Sequence, residues 1–355
     1  IMPVERQFVN PEFCRLGTQL ACGEMIRGGV TCFADMYYFE HAIAATVAEI
    51  GMRAICGETV LKFPAPDADS YEDSIAAARE FIMRWKDHPL IVPAVAPHAP
   101  YTITPEILRA CIDLAVEFNV PLHTHLSETL QEVQQWRETY DMPIMPWVKK
   151  QGILDTKLIA AHCVHVDEGE IHTLEHGGAG VVHNPSSNLK LASGFAPVTD
   201  MLSTGLNVGL GTDGPASNND LDMFEEMRLA TFIAKSVTKD PTALPARQVF
   251  EMATSMGARA IHLDHLTGSL EAGKRADLAL VDLRTLHNYP HFRRDPSAVY
   301  SRLVYAAKSS DVTDVMVDGK WLMRDRNLLT LDEASLFEAV EEHAKKIDTF
   351  LIERE

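Results

Sequence analysis

Histidines and carboxylates recur in this chain at the ends of short apolar runs, where hydrolytic metal sites are commonly built. Residues 122–128 read LHTHLSE, so His123 and His125 share one face of a strand and Glu128 follows three residues later. The strand end favours His125 as a metal ligand. Glu128, in the first turn of the next helix, is expected close enough to move a proton. His123 fits a hydrogen-bonded core histidine better than a ligand.

A second histidine ends the next buried run, in which residues 159–165 read IAAHCVH. A neutral imidazole at His162 can either ligate a metal or polarise a bound water, and the sequence leaves both roles open. His165 falls in the following turn, where a structural role is favoured.

The stretch VGLGTDG over residues 208–214 contains the letters of the dinucleotide fingerprint G-x-G-x-x-G. That fingerprint needs an early strand running directly into a helix, with an acidic residue ~20 positions on. Here the stretch closes the last strand of the repeat, and the Asp213 carboxylate would meet the pyrophosphate. We therefore predict that Asp213 is a metal ligand that also takes a proton from water, with a helix N-cap as the alternative.

Two further segments place polar groups at strand ends. His98 lies between prolines in APHAPY (96–101), which suits a group that orients a substrate, although a structural loop histidine is the alternative. The tract HNPSSNLK (183–190) is rich in side-chain donors and acceptors. It either shapes a pocket or caps the next helix.

Short apolar runs alternate with amphipathic helical segments, which indicates β-α units and a parallel sheet. The runs predicted as strands are 30–34, 53–60, 90–96, 120–125, 158–162, 178–183 and 207–212. Six of them end at or just before a polar or metal-capable residue: Asp35, His98, His125, His162, His183 and Asp213. Because the carboxyl ends of all strands in a closed barrel face one mouth, we predict a (β/α)8 TIM barrel of the metal-dependent hydrolase type.

The pattern changes after about residue 263, where segments 268–282 and 312–323 alternate apolar and polar residues around turns. We expect the barrel over 1–264, a small β-sandwich portion with an inserted barrel-packing helix over 265–330, and a C-terminal helix over 331–355. Seven strands are one short of the barrel and the chain opens Ile-Met-Pro. We therefore expect an N-terminal truncation, with the missing strand before residue 1.

Composition narrows the class of protein. The chain has 355 residues, 46% of them hydrophobic, and a formal net charge of -18, which opposes non-specific binding to nucleic acid or to anionic membranes. No apolar run approaches the ~20 residues of a membrane span, and no secretory signal is recognisable. The six dispersed cysteines suit reduced thiols, so we expect a cytoplasmic protein. Apolar helix faces at Phe232–Ala234 and Phe337–Val340 favour a homo-oligomer.

Taken together, these motifs resemble those of the amidohydrolase superfamily, and most strongly its 5′-methylthioadenosine/S-adenosylhomocysteine deaminases. The resemblance covers essentially the whole chain. It rests on residues 3–5, 28–36, 96–101, 125–128, 160–163, 183–190, 211–214, 217–219 and 268–277.

The resemblance implies hydrolytic deamination of an adenosine-type nucleoside, with release of ammonia. It implies that His125 and Asp213 bind one divalent metal, with zinc expected and Fe²⁺ or Mn²⁺ as alternatives. It makes Glu128 the residue that protonates the ring nitrogen beside the amino-bearing carbon, and His162 the group that orients the attacking water. Asp213 generates the nucleophile together with the metal.

The same resemblance implies that the substrate is held by Glu5 and His98 in addition to Glu128 and Asp213. Glu5 would bind the ribose hydroxyls, and His98 would contact the sugar or the base. Since a free base has no ribose, Glu5 separates a nucleoside deaminase from the alternatives, a guanine deaminase or an aminotriazine or chloro-hydrolase of the same superfamily.

Two features depart from the pattern of the family. The His-x-His pair of its first strand has no counterpart before Glu5, which leaves fewer than three protein ligands for zinc and keeps a non-catalytic scaffold as an alternative. In addition, the loop 61–70 carries acids and prolines where members that prefer S-adenosylhomocysteine are expected to carry arginines. A carboxylate would find only Lys62 there, so we expect methylthioadenosine or adenosine to be preferred.

Overall fold

A parallel sheet organises the larger part of the molecule in a computed structural model, which describes residues 2–292 and 294–353. Across these residues its seven strands lie in chain order, each paired with the next. They are β1 (Cys32–Tyr37), β2 (Arg53–Val60), β3 (Ile91–Pro97), β4 (Pro121–Leu126), β5 (Lys157–His162), β6 (Gly180–His183) and β7 (Asn207–Leu210). The predicted β-α repeat and the TIM-barrel-like class are confirmed.

Helices connect these strands and continue beyond them. They are α1 (Met2–Phe8), α2 (Pro11–Arg27), α3 (Glu40–Ile50), α4 (Tyr71–Trp85), α5 (Pro105–Phe118), α6 (Leu130–Tyr140), α7 (Ile144–Gln151), α8 (Glu168–His176), α9 (Pro185–Lys190), α10 (Val198–Ser203), α11 (Pro215–Asn218), α12 (Met223–Thr238), α13 (Ala246–Met252), α14 (Ser255–Ala260), α15 (Ala298–Tyr305) and α16 (Glu333–Ile352). Within residues 2–292 and 294–353, none of these helices has the length and apolar character needed to span a membrane.

Several helices begin where the sequence offers a capping side chain. Ser70 accepts a hydrogen bond from the Asp73 backbone at the start of α4. Thr104 caps α5, which has a proline in its first turn, and Asp167 forms a reciprocal capping box with Glu170 in α8. These caps satisfy backbone N–H groups that have no partner inside the helix, so the strand-to-helix turns are locally encoded.

The sheet is curled, as its interior side chains show. Ile55 of β2, Ala94 of β3 and Ile159 of β5 form one buried cluster with Leu263. In a flat sheet β2 and β5 would lie ~14 Å apart, three strand spacings, which is too far for such a cluster. The curvature therefore turns the carboxyl ends of the strands toward a common centre, as a barrel requires.

Helix α14 packs tightly across β6 and β7. A Cβ atom on Gly180 would lie 1.7 Å from the backbone oxygen of Ala260, at the end of α14. The first residue of β6 must therefore be glycine for the helix to approach the sheet this closely.

A separate antiparallel sheet follows in the chain, with the strand order β11-β10-β9-β8. Its strands are β8 (Leu278–Val281), β9 (Val312–Val317), β10 (Lys320–Arg324) and β11 (Asn327–Leu328). Helix α15, between β8 and β9, packs on α12 and α13, and α16 packs on α2. The two sheets are joined by a buried ion pair, in which Nε of Arg53 in β2 lies 2.6 Å from Oδ2 of Asp277.

Candidate active site

Three histidine rings lie in a row across the carboxyl ends of β3, β4 and β5. The ring centroids of His98 and His125 are 4.9 Å apart, and those of His125 and His162 are 5.4 Å apart. His98 follows β3, His125 is the penultimate residue of β4 and His162 ends β5. The curled sheet thus brings together three residues that are far apart in the sequence.

The tautomer of His125 is fixed by its neighbour. Its Nδ1 lies 2.7 Å from the backbone oxygen of His98, an acceptor, so Nδ1–H is the donor. The lone pair of the neutral ring is therefore on Nε2. A histidine held in this way, with one nitrogen bonded to a carbonyl and the other free, is the usual arrangement of a metal ligand.

His162 lies between two carboxylates. Its Nδ1 donates to Oδ1 of Asn188 at 2.9 Å, so Nε2 faces the other way. Nε2 lies 3.9 Å from an oxygen of Glu128 and 3.9 Å from an oxygen of Asp213. The ring side chain is 1% exposed. This nitrogen is therefore shielded from solvent and close to both candidate proton-transfer groups.

Asp213 follows β7 and has a left-handed backbone, with φ of 59°. Its Oδ2 accepts from the Ser187 hydroxyl at 2.7 Å, and its Oδ1 accepts from the Gly214 N–H at 2.7 Å. His162 is also left-handed, with φ of 71°. Such conformations are costly for residues with a side chain and cluster at functional sites, where the fold imposes them.

Glu128 lies in the turn before α6 and not in its first turn, so that part of the sequence prediction was wrong. The N-cap is Thr129, whose hydroxyl accepts from the Glu132 backbone, and the helix begins at Leu130. The motif letters alone do not show which of two adjacent residues becomes the cap. The position before the cap leaves the Glu128 side chain free to reach the hydroxyl of Ser193, 3.3 Å away.

Burial keeps four histidines at or near the site neutral: His98, His123, His125 and His183. Desolvation, and then the nearby His125 ring, lower the pKa of His98 to about 3. Desolvation and the His162 ring also lower the pKa of His125. Burial lowers the pKa values of His123 and His183 to about 3 as well. Neutral imidazoles retain a lone pair, so this set of rings can bind a cation or accept a hydrogen bond near pH 7.

The remaining predicted residue, Glu5, lies on α1, beside the last residue of β1. Its Oε1 accepts from the Tyr37 hydroxyl at 3.1 Å. Burial, and then the Glu5 charge, raise the pKa of Tyr37 far above its usual range, so the phenol stays protonated and keeps donating. Glu5 is thus held by the last residue of β1, next to the carboxyl ends of the strands.

Several polar residues that hold the site were not given roles from the sequence. Ser187 and Asn188 bond Asp213 and His162 from α9. Glu226 accepts from the backbone of Ser186 and from the side chain of Asn218, and burial raises its pKa to about 7. The density of polar residues in 183–190 was the available signal, and the structure shows that this tract positions the site.

Other predicted positions lie outside the central group. Asp35 does not stand at the strand end, because β1 continues to Tyr37, and its half-buried carboxyl is hydrogen-bonded to Glu40 of α3. His123 is buried and bonded to the Asp35 backbone, as a core histidine would be. His165 bonds the backbone oxygen of Ser193 at 2.7 Å, in the role of a structural residue.

The donor set fits a divalent cation. The free Nε2 of His125 is a nitrogen ligand, and each Asp213 oxygen accepts one described hydrogen bond, which leaves a further lone pair on each. Imidazole nitrogen and carboxylate oxygen are the ligands that zinc and similar ions take in hydrolytic sites. His125 and Asp213 therefore offer donor atoms of the kind that a divalent metal takes.

Comparisons with known proteins agree with this geometry. Residues 2–322 match the Amidohydrolase family. A 5-methylthioadenosine/S-adenosylhomocysteine deaminase from Syntrophobacter fumaroxidans is 45% identical over 98% of this chain and 78% of its own length. The zinc-bound crystal structure of an adenosine deaminase from Xanthomonas campestris is 41% identical, with a TM-score of 0.95 over 98% of this chain and 78% of that one.

A more distant structure shares the fold alone. Atrazine chlorohydrolase from Arthrobacter aurescens, complexed with zinc, has a TM-score of 0.86 at 22% identity, over 94% of this chain and 77% of that chain. The family match spans most of the chain, and the relatives with more than 40% identity align with nearly all of it. The chain therefore belongs to the amidohydrolase family.

Proposed function

We propose that this chain is the metal-dependent barrel of a hydrolytic deaminase that converts an adenosine-type nucleoside and water to the inosine-type product and ammonia. The observation that carries the proposal is the position of His162, whose Nε2 lies 3.9 Å from both Glu128 and Asp213. A water and an electrophilic ring carbon placed there would have a base on one side and an acid on the other. Relatives named as deaminases of such nucleosides, at 41% and 45% identity, support the assignment.

The residues divide the proton transfers between them. Asp213 takes a proton from the attacking water, and His162 orients that water through Nε2. Glu128 donates a proton to the ring nitrogen beside the amino-bearing carbon, so that the carbon accepts the oxygen. The proton that Asp213 took is then delivered to the amino group and the proton of the added hydroxyl returns to Glu128, so that the C–N bond breaks, the carbonyl forms and ammonia leaves. Positioned acid–base groups of this kind contribute roughly 10²–10⁴-fold to the rate.

The zinc-bound relative supports a divalent metal in the family site, and zinc is our proposal for this chain. His125 and Asp213 would hold it. When bound, such an ion supplies Lewis-acid activation of water near neutral pH. Fe²⁺ and Mn²⁺ are the alternatives that reconstitution of the metal-stripped protein would distinguish, by comparing the turnover that each ion restores.

Substrate recognition is assigned to Glu5 and His98. Glu5, held by the Tyr37 hydroxyl, would bind the ribose hydroxyls, and His98 would contact the sugar or base. In the loop 61–70, Asp67 bonds the Phe39 N–H at 2.6 Å, and the Lys62 ammonium bonds the backbone oxygen of Tyr101. The loop thus offers little positive charge to an amino-acid carboxylate, which favours methylthioadenosine or adenosine over S-adenosylhomocysteine.

The Glu5→Gln variant tests the nucleoside assignment. We expect KM for methylthioadenosine to rise at least several-fold, because a carboxylate that accepts hydrogen bonds from the ribose is replaced by an amide that is a weaker acceptor. Any activity toward guanine, which has no ribose, should be unchanged. Full nucleoside activity in Glu5→Gln would argue instead for a free-base or triazine hydrolase.

A further inference from the structure

Glu132 occupies an unusual place beside the proposed proton donor. It is 6% exposed, in the first turn of α6. Its Oε2 lies 2.8 Å from the backbone nitrogen of Glu128 and 3.5 Å from that of Thr129. In an ordinary capping box the glutamate bonds the N-cap N–H, here that of Thr129. The shorter bond thus goes one residue further back, to the residue assigned to the chemistry.

We propose that Glu132 is a positioning residue for Glu128, whose backbone it fixes so that the Glu128 carboxyl points toward His162. This inference rests on the proposed function. The turn between β4 and α6 contains Ser127, a left-handed residue with φ of 51°, whose backbone oxygen accepts from the His165 N–H at 2.9 Å. Glu128 follows it and lies outside both regular elements. The bond from Glu132 ties this turn to the rigid start of the helix.

The surroundings of Glu132 favour such a role. Burial raises its pKa to about 7, and the neighbouring Glu128 charge adds to that rise. Among the described residues, its Oε1 is buried with no hydrogen-bond partner. Among the described residues, the Glu132 charge also contributes to the raised pKa values of Tyr101 and Cys163. A solvent-exposed glutamate would cap the helix equally well, so helix capping alone does not account for the burial of this carboxyl. Its contact with the Glu128 backbone does.

Three variants separate positioning from simple helix capping. Glu132→Ala removes the acceptor of the Glu128 N–H. Thr129→Ala removes the other half of the capping box, the hydroxyl that accepts from the Glu132 N–H at 3.1 Å, and leaves the bond to Glu128 in place. Glu132→Gln keeps a carbonyl oxygen as the acceptor and removes the charge.

We expect kcat for methylthioadenosine to fall about 10–100-fold in Glu132→Ala with KM changed less than about threefold, since a misplaced acid acts in the transition state. Thr129→Ala and Glu132→Gln should stay within about threefold of the wild-type kcat. Equal losses in Glu132→Ala and Thr129→Ala would overturn the proposal in favour of helix stability. A large loss in Glu132→Gln would overturn it in favour of charge.

Amide hydrogen exchange of the segment 126–131 gives a second readout that needs no turnover. The Glu128 amide should be protected in the wild type, in Glu132→Gln and in Thr129→Ala, and should exchange at least about tenfold faster in Glu132→Ala. Unchanged protection in Glu132→Ala would contradict the inference. If the wild type released no ammonia from any nucleoside, the proposed function would fail, while exchange would still report on this contact.

Discussion

Nδ1 of His125 lies 2.7 Å from the backbone oxygen of His98, so the loop after β3 determines which nitrogen of the β4 histidine is free. The loop is itself held by Thr102, whose hydroxyl accepts from the Ala99 N–H at 3.1 Å. The orientation of a proposed metal ligand therefore depends on a neighbouring strand connection, as outer contacts of metal ligands generally do.

Replacing His125 by alanine should remove most of the bound divalent metal. The free Nε2 is one of the two ligands proposed from this chain. Loss of a residue that merely orients a ligand already lowers metal affinity about 10-fold or more, so loss of the ligand itself should lower zinc affinity by at least about 10-fold. Zinc per chain after dialysis at fixed free zinc, measured by plasma emission spectroscopy, tests this. His265→Ala, at an exposed histidine, is the matched control and should bind as the wild type does. Equal zinc in His125→Ala and the wild type would remove His125 from the site.

Glu128→Gln should retain metal and substrate binding but lose turnover. The amide cannot donate the proton that the carboxyl supplies, so kcat should fall roughly 10²–10⁴-fold with a smaller change in KM. Steady-state kinetics with methylthioadenosine measure both constants. A variant with more than a tenth of the wild-type kcat would show that another group donates the proton.

The buried pair of Arg53 and Asp277 should be far more important for stability than an exposed pair. Both side chains are 0% exposed, and Asp277→Ala leaves the buried guanidinium with only the Asp318 carboxylate, 3.9 Å away, as an acidic partner. The substitution should therefore cost about 3 kcal/mol of unfolding free energy. The exposed Arg79–Glu117 pair provides the control, because water screens that pair and Glu117→Ala should have a far smaller effect on stability. Urea unfolding of both variants checks the difference, and similar costs would contradict it.

Glu226 should make stability depend on pH. Burial raises its pKa to about 7 from an ordinary value of 4.5, so the folded state binds a proton more tightly than the unfolded state does. The resulting stabilisation is present below pH 4.5 and is lost as the pH rises through 7. Urea unfolding between pH 5 and pH 8 should show a smaller decline with rising pH in Glu226→Gln than in the wild type. Identical declines would mean that Glu226 is ionised throughout.

Lys62 should affect only substrates that carry a carboxylate. Lys62→Ala is expected to lower kcat/KM for S-adenosylhomocysteine several-fold and to leave that for methylthioadenosine within about twofold. The loss of one exposed cation accounts for a change of this size. Parallel assays of the two nucleosides give the ratio, and an equal effect on both would place Lys62 in a structural role at the Tyr101 loop.

The strands and the residues at their ends could be predicted from the sequence, because both depend on local pattern. The seven strands were found because apolar runs and helical periodicity alternate regularly, and His98, His125, His162 and Asp213 were found because they stand at strand ends. All four lie together in the structure. Because the sheet is curled, residues at the carboxyl ends of different strands lie close together. Standing at a strand end was therefore a useful criterion for choosing site residues.

The sequence could not predict contacts that depend on the packing of distant segments. Ser187 and Asn188 were noticed as polar residues, but only the placement of α9 shows that they bond Asp213 and His162. Asp35 was misplaced because β1 runs from Cys32 to Tyr37 and so ends three residues later than the predicted strand 30–34, which leaves Asp35 inside the strand. Glu132 was missed because the sequence does not show that it is buried, and a glutamate in a first helical turn is usually an ordinary cap.

The most direct test of the proposed function is ammonia release from methylthioadenosine, adenosine, S-adenosylhomocysteine and guanine by the protein supplied with zinc. We predict turnover of the nucleosides, led by methylthioadenosine or adenosine, no turnover of guanine, and a kcat in Glu128→Gln that is lower by roughly 10²–10⁴-fold. Turnover of guanine alone, or no ammonia from any nucleoside although zinc is bound, would contradict the assignment as an adenosine-type deaminase.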